Sequence, residues 1–223
     1  MMREKKDQIK TIAIRVNRVG LKGELRLPLH SKLLVISVLG EKDGKHLERF
    51  DALCRTLYEK GIGTFFLFGL LTEDEKKISA NLFDESLLAD RLVEVTKKLE
   101  GLSETEGLTF AYLGFSNIAE RIFRASSALK GKIESLILIG DGLLPLNVVF
   151  SDVSILNIIG ALDFKTINSN QIFLNRIETP LKKLYLIPGS PSHFEDPQKW
   201  RLVSDTVLKW FSHPERRKLE FAE

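Results

Sequence analysis

"LTFAYLGFSNIAERIF", residues 108–123, decides how the chain folds. An apolar run ends at Gly114, Ser116 follows two residues later, and a helical pattern begins at once. A short, nearly continuous apolar run reads as a strand covered on both faces. A serine between such a strand and a helix sits on a tight turn, where small residues two before and two after it let strand and helix approach. Gly114 meets that need, whereas Ile118 stands where a second small residue is expected. If the turn forms, the helix after it must stand off slightly or the adjacent strand must present a small side chain, with Gly140 and Ala161 the nearby candidates. The stretch alone leaves two readings open. Ser116 is a nucleophile held above the sheet, or Ser116 or Asn117 caps an ordinary helix.

Outward from this stretch the same kind of run recurs. "KLLVISVLG" (32–40), "GTFFLFGLL" (63–71), "IESLILIGD" (133–141), "VSILNIIGAL" (153–162) and "KKLYLIPG" (182–189) all read as buried strands. Helical patterns separate most of them. Residues 45–60 end at Gly61, residues 84–100 carry Asp84 as a cap, and Asp196–Pro197 opens a last helix. Toward the N-terminus the pattern changes to alternation. "QIKTIAIRVN" (8–17) and "LKGELRLPL" (21–29), with the turn signal "RVGLKG" between them, predict an antiparallel pair with one wet face. No helix is evident between 142 and 152. These elements predict an α/β sandwich around a mostly parallel sheet, in a single domain over 1–223 with tails at 1–7 and 215–223.

Composition narrows the function classes. The chain has 223 residues, 43% hydrophobic and 28% charged, and a net charge of +3. That balance is ordinary for a globular protein with a full core. Basic residues do not alternate with aromatic ones, so nucleic acid is not an expected partner. No run reaches the roughly 20 apolar residues of a membrane span. The single cysteine, Cys54, excludes an internal disulfide and reads as a buried helix residue. A cytoplasmic location follows as the default expectation. Neither a glycine-rich phosphate motif nor paired histidine spacing occurs, so no cofactor and no metal are expected.

In an open α/β sheet, function sits outside the carboxyl ends of the strands. Two residues there can complete a hydrolytic set with Ser116 in the order serine, acid, histidine. Asp163 directly follows the apolar run ending at Leu162, and His193 lies in "GSPSHFEDP", between the last strand and the last helix. Glu73, Asp74 and Glu75, on the same side, read as a helix-start charge cluster. His30 and His213 read as surface residues.

At these residues the chain resembles a small α/β-hydrolase of the dienelactone hydrolase-like group, found alone or fused to phosphoribosyltransferase domains. The likeness runs over roughly residues 12–212. It is most specific in "GIGTFFLFGLLTEDE", "LFDESLLADRLVEVTKKLEG", "AYLGFSNIAE" and "IPGSPSHFEDP". It implies a three-layer α/β-hydrolase-like sandwich with an eight-stranded, mostly parallel sheet, an antiparallel N-terminal strand pair and no lid domain. It implies a serine hydrolase acting on a small ester, lactone or thioester, with Ser116 as nucleophile and Asp163 as acid. The backbone amides of Asn117 and of Leu39 or Gly40 would bind the oxyanion. His46 matches a histidine often present in the loop after the third strand, and with Ser192 it is an expected pocket residue.

Three departures accompany the resemblance. Leu39 stands where relatives carry a histidine before the glycine, and Glu41 and Asp43 bring negative charge near the oxyanion position. Ile118 replaces a glycine. Aligned without gaps from Phe194 to Pro197, the family's histidine falls on Ser192, with His193 one place late. A one-residue lengthening around Pro191 would restore it, so both registers stay open. A catalytically weakened relative acting as a binding or scaffold protein is the alternative expectation.

Overall fold

A computed structural model of the chain describes residues 8–40, 46–140, 142, 144 and 152–212, and at Ser116 the backbone without the side chain. Eight strands form one sheet in the order β1-β2-β4-β3-β5-β6-β7-β8. They are β1 (Gln8–Val16), β2 (Val19–Leu27), β3 (Leu33–Val38), β4 (Gly63–Leu67), β5 (Thr109–Phe115), β6 (Ile133–Ile139), β7 (Ser154–Gly160) and β8 (Lys182–Ile187). The helices are α1 (Leu47–Glu59), α2 (Glu73–Lys76), α3 (Glu85–Glu100), α4 (Ala119–Ala128), α5 (Phe164–Arg176) and α6 (Pro197–Ser212). The pairs β1–β2 and β2–β4 are antiparallel, and every pair from β4 onward is parallel.

The apolar runs behave as expected: β3 and β4 are buried at every position. One core cluster packs Leu88 and Leu92 of α3, Ile118 and Ile122 beside α4, and Phe173 of α5 on one face. The other packs Phe50, Leu53 and Leu57 of α1 against Trp200, Val203 and Trp210 of α6 on the opposite face. The result is the three-layer α/β-hydrolase-like sandwich. No described helix is long and apolar enough to cross a membrane.

One local expectation needs correction. The β1–β2 turn reaches only the first residue of "RVGLKG". Val16 pairs with Val19, so Asn17 and Arg18 make the turn, with Asn17 at φ 53°. Gly23 lies inside β2 instead, because a side chain there would meet the Phe65 ring at 2.4 Å. Helix α5 carries no clear helical pattern, and its buried residues are only Asn170, Phe173 and Leu174. Asp84 accepts the Leu87 amide as the expected cap, and Gly61 follows α1 at φ 82°. Glu41, Asp43, His213, the two tails and most of the β6–β7 connection, where a lid would insert, lie outside the described residues.

Candidate active site

Strand β5 delivers its chain into a 3₁₀ turn, Ser116–Ile118, and α4 starts at Ala119. The space Ile118 needs is found at Gly114, not at Gly140. Ile118 is fully buried, and a Cβ placed on Gly114 would lie 2.6 Å from its Cδ1 and 2.7 Å from the Val38 carbonyl oxygen. The missing side chain at Gly114 is therefore the socket for Ile118. At Gly140 an added Cβ meets the Phe115 ring at 3.0 Å. The glycine before the serine compensates for the large residue after it, and the turn keeps its close packing.

Strand β3 lies beside β5, with Val38 opposite Gly114. Leu39 and Gly40 thus leave the sheet next to Ser116 and Asn117. Two backbone segments emerging from adjacent strands at one edge are what a two-amide oxyanion site requires. Leu39 and Gly40 are buried, and Asn117 is exposed.

Asp163 stands at the N-cap of α5 but makes no capping bond. Its carboxylate turns to the loop after β8, where Oδ2 accepts the Ser192 backbone N–H at 2.6 Å. That contact is a charge-assisted hydrogen bond, stronger than the neutral kind. The same loop is fastened to the end of β7, since the Gly160 amide donates to Ser192 Oγ at 3.0 Å and Leu162 N donates to Ser190 O at 3.1 Å. Gly160 permits this approach, because a Cβ there would come within 2.3 Å of Pro191 C and Ser190 O. Ser192 is fully buried and its hydroxyl is committed to β7. His193 is exposed. Phe194 behind it is fully buried at φ 48°.

His46 is 4% exposed and begins α1. Its ring lies 4.2 Å from the Phe115 ring, and Phe115 is the residue before Ser116. Arg49, one helical turn on, places Nη2 2.6 Å from His46 Nδ1. Its Nη1 donates to the carbonyls of His193 at 3.1 Å and Phe194 at 2.6 Å. The guanidinium also lies 5.2 Å over the Trp200 ring. Burial draws the Arg49 pKa below its ordinary value, and the Glu195 carboxylate opposes that shift. Sequence reasoning did not single out Arg49. The signal was its i, i+3 spacing from His46, which puts the two on one helix face.

The remaining candidates resolve simply. Glu75 forms a capping box with Thr72 and a two-pronged ion pair with Arg91, so the Glu73–Glu75 cluster is a helix start. Cys54 is a free thiol, fully buried on α1, and burial pushes its pKa up to about 12. His30 is exposed. Among the described residues no cluster of three or more His, Cys, Asp or Glu could hold a metal ion.

No family model matches the chain. It is 29% identical over 201 residues to the "Putative phosphoribosyl transferase" of Mycobacterium tuberculosis (strain CDC 1551 / Oshkosh), a match covering 86% of this chain and 44% of that protein. The chain thus spans less than half the length of the curated relatives it matches. Among solved structures, dienelactone hydrolase from Anabaena variabilis ATCC 29413 is 26% identical with a TM-score of 0.84, covering 93% of this chain and 98% of that one. Est1E from Butyrivibrio proteoclasticus shares the fold at 16% identity and a TM-score of 0.69, covering 91% and 98%. In sequence and in structure, the chain resembles the small α/β-hydrolases of the dienelactone hydrolase-like group.

Proposed function

We propose that this dienelactone hydrolase-like chain is a serine hydrolase acting on a small ester, lactone or thioester. Ser116 would attack the acyl carbon, and His193 would take its proton and return it to the leaving group. Asp163 would hold the histidine tautomer and stabilise the imidazolium. The amides of Asn117 and of Leu39 or Gly40 would bind the tetrahedral oxyanion. The observation that carries this reading is the 2.6 Å bond from Ser192 N to Asp163 Oδ2. It ties the acid to the residue before His193, at the sheet edge where β5 brings Ser116. A carboxylate accepts through both oxygens, so Oδ1 is left to receive an imidazole N–H. The partner in this reading is a small molecule, with neither nucleic acid nor membrane engaged. A cytoplasmic setting suits the buried free thiol of Cys54.

A fluorophosphonate probe tests the proposal. It should label the folded protein at Ser116, Ser116→Ala should abolish labelling, and His193→Ala should slow it by roughly 10³-fold. A second reading, a hydrolase-shaped binding protein without turnover, has its own observation. Ser192, the ungapped counterpart of the family histidine, is fully buried with its hydroxyl on Gly160 N. A folded protein that resists the probe and turns over no activated ester would establish that second reading.

A further inference from the structure

One arginine joins the His46 ring to the backbone of the His193 loop, and its chemistry constrains the two histidines differently. A guanidinium has five N–H donors and no acceptor. At 2.6 Å from Arg49 Nη2, His46 Nδ1 must therefore be the acceptor, and the single ring proton lies on Nε2. Adding a second proton would place an N–H of an imidazolium directly against a guanidinium. The surroundings oppose that charge as well. His46 is 4% exposed and packs on Phe115, which in turn touches Phe50, and desolvation disfavours a charged ring. Among the described residues, Glu195, from the loop after β8, is the carboxylate whose charge acts on Arg49.

We propose that Arg49 is a positioning residue that locks His46 as a neutral hydrogen-bond donor and so excludes it from the role of base. With Nδ1 accepting from Arg49 and the ring proton on Nε2, His46 has no ring nitrogen left to take a proton, and proton acceptance falls to the other histidine. The same guanidinium fastens that second histidine's loop, because its Nη1 bonds the carbonyls of both His193 and Phe194. One planar group thereby sets a tautomer at the start of α1 and a backbone position after β8. Lysine cannot replace it. A single ammonium on a flexible stem does not span both directions with fixed geometry. The assignment of proton acceptance to His193 rests on the hydrolase reading, while the tautomer lock does not.

The test is ¹⁵N NMR of the histidine rings in the whole chain, with Arg49→Met and Arg49→Lys as variants. In the unsubstituted protein at neutral pH His46 should show the Nε2–H tautomer alone. In Arg49→Met it should sample both tautomers. Arg49→Lys should slow fluorophosphonate labelling of Ser116 by roughly tenfold, and His46→Phe should add little to that loss, as expected for residues acting as a unit. A His46 that carries its proton on Nδ1, or a proton on both ring nitrogens, at neutral pH in the unsubstituted protein overturns the proposal. So does an Arg49→Met variant whose His46 signals are unchanged. A protein that shows the locked tautomer yet resists the probe refutes the hydrolase reading and upholds the lock.

Discussion

Substituting Gly114 by alanine tests the packing that shapes the serine turn. The new Cβ would sit 2.6 Å from Ile118 Cδ1 and 2.7 Å from Val38 O, where ordinary contacts need well over 3 Å. A flexible side-chain end can give way, but Val38 belongs to a strand paired on both sides. Overpacking of this kind costs about 1–3 kcal/mol, and the backbone contact puts the expected loss near the top of that range. Ile118→Ala alone removes a fully buried side chain and should cost about 2–5 kcal/mol. In the double variant the alanine methyl at 114 fills part of the space Ile118 vacates, while the clash with Val38 remains. The two losses should then sum to about 1–2 kcal/mol more than the double variant shows, within the range for residues in contact. Urea unfolding followed by circular dichroism measures all four proteins, with unchanged m-values as the control. Strict additivity, or Gly114→Ala within about 0.5 kcal/mol of the parent, would refute the socket argument. Ile118→Gly should behave like the alanine variant in this cycle. Ile118 is the N-cap of α4, where glycine carries little helix penalty, so the cavity sets its cost.

Two further outcomes follow from the same structure. The Glu75 carboxyl is held down to about 2, chiefly by its hydrogen bonds from Arg91 with burial opposing, whereas an unfolded glutamate titrates near about 4.3. Its stabilisation is therefore complete above the unfolded value and is lost as pH falls through the folded one. Glu75→Gln should cost about 2–3 kcal/mol at pH 7, and the gap should close between about pH 4.5 and 2; a gap that stays constant in unfolding curves across that range would refute the assignment. Gly160→Ala should displace the 190–192 loop from Asp163 and slow Ser116 labelling by roughly 10²-fold, the scale of an ångström-sized misplacement. Labelling at the parent rate would show that the loop position does not matter.

The sheet was legible because burial on both faces leaves an unambiguous apolar run, as in "TFAYLGF" of β5. Helix ends were legible where a capping residue carries them, as at Asp84 and Gly61. Helix α5 was not, because most of its surface faces solvent and Asn170, a polar residue, occupies one of its few buried positions. The glycines of "RVGLKG" misled for a related reason. A glycine looks the same in sequence whether it supplies a turn or, like Gly23, leaves room for a ring from the next strand. Gly114 raised the same ambiguity. Its place in the serine turn was readable, but its service to Ile118 depends on a contact that only the folded chain creates. Arg49 stayed hidden because two of its partners are carbonyls more than a hundred residues away, and backbone acceptors carry no residue-type signal.

The register of the loop after β8 shows how far physical packing can carry what alignment leaves open. Sequence offers Ser192 and His193 as alternatives for one position beside Asp163. The backbone there is fixed at successive residues, by Asp163 at Ser192 N, by Arg49 at the carbonyls of His193 and Phe194, and by burial of Phe194 at φ 48°. Sliding the chain by one residue would break each of these contacts at once. It would also drive an imidazole into the closed site of the Ser192 hydroxymethyl group, which is 0% exposed and bonded to Gly160 N. Close-packed interiors do not absorb an aromatic ring in place of so small a group without rearrangement. Any histidine of this loop that meets the Asp163 carboxylate must therefore reach it from position 193, over the oxygen that Ser192 N leaves unoccupied.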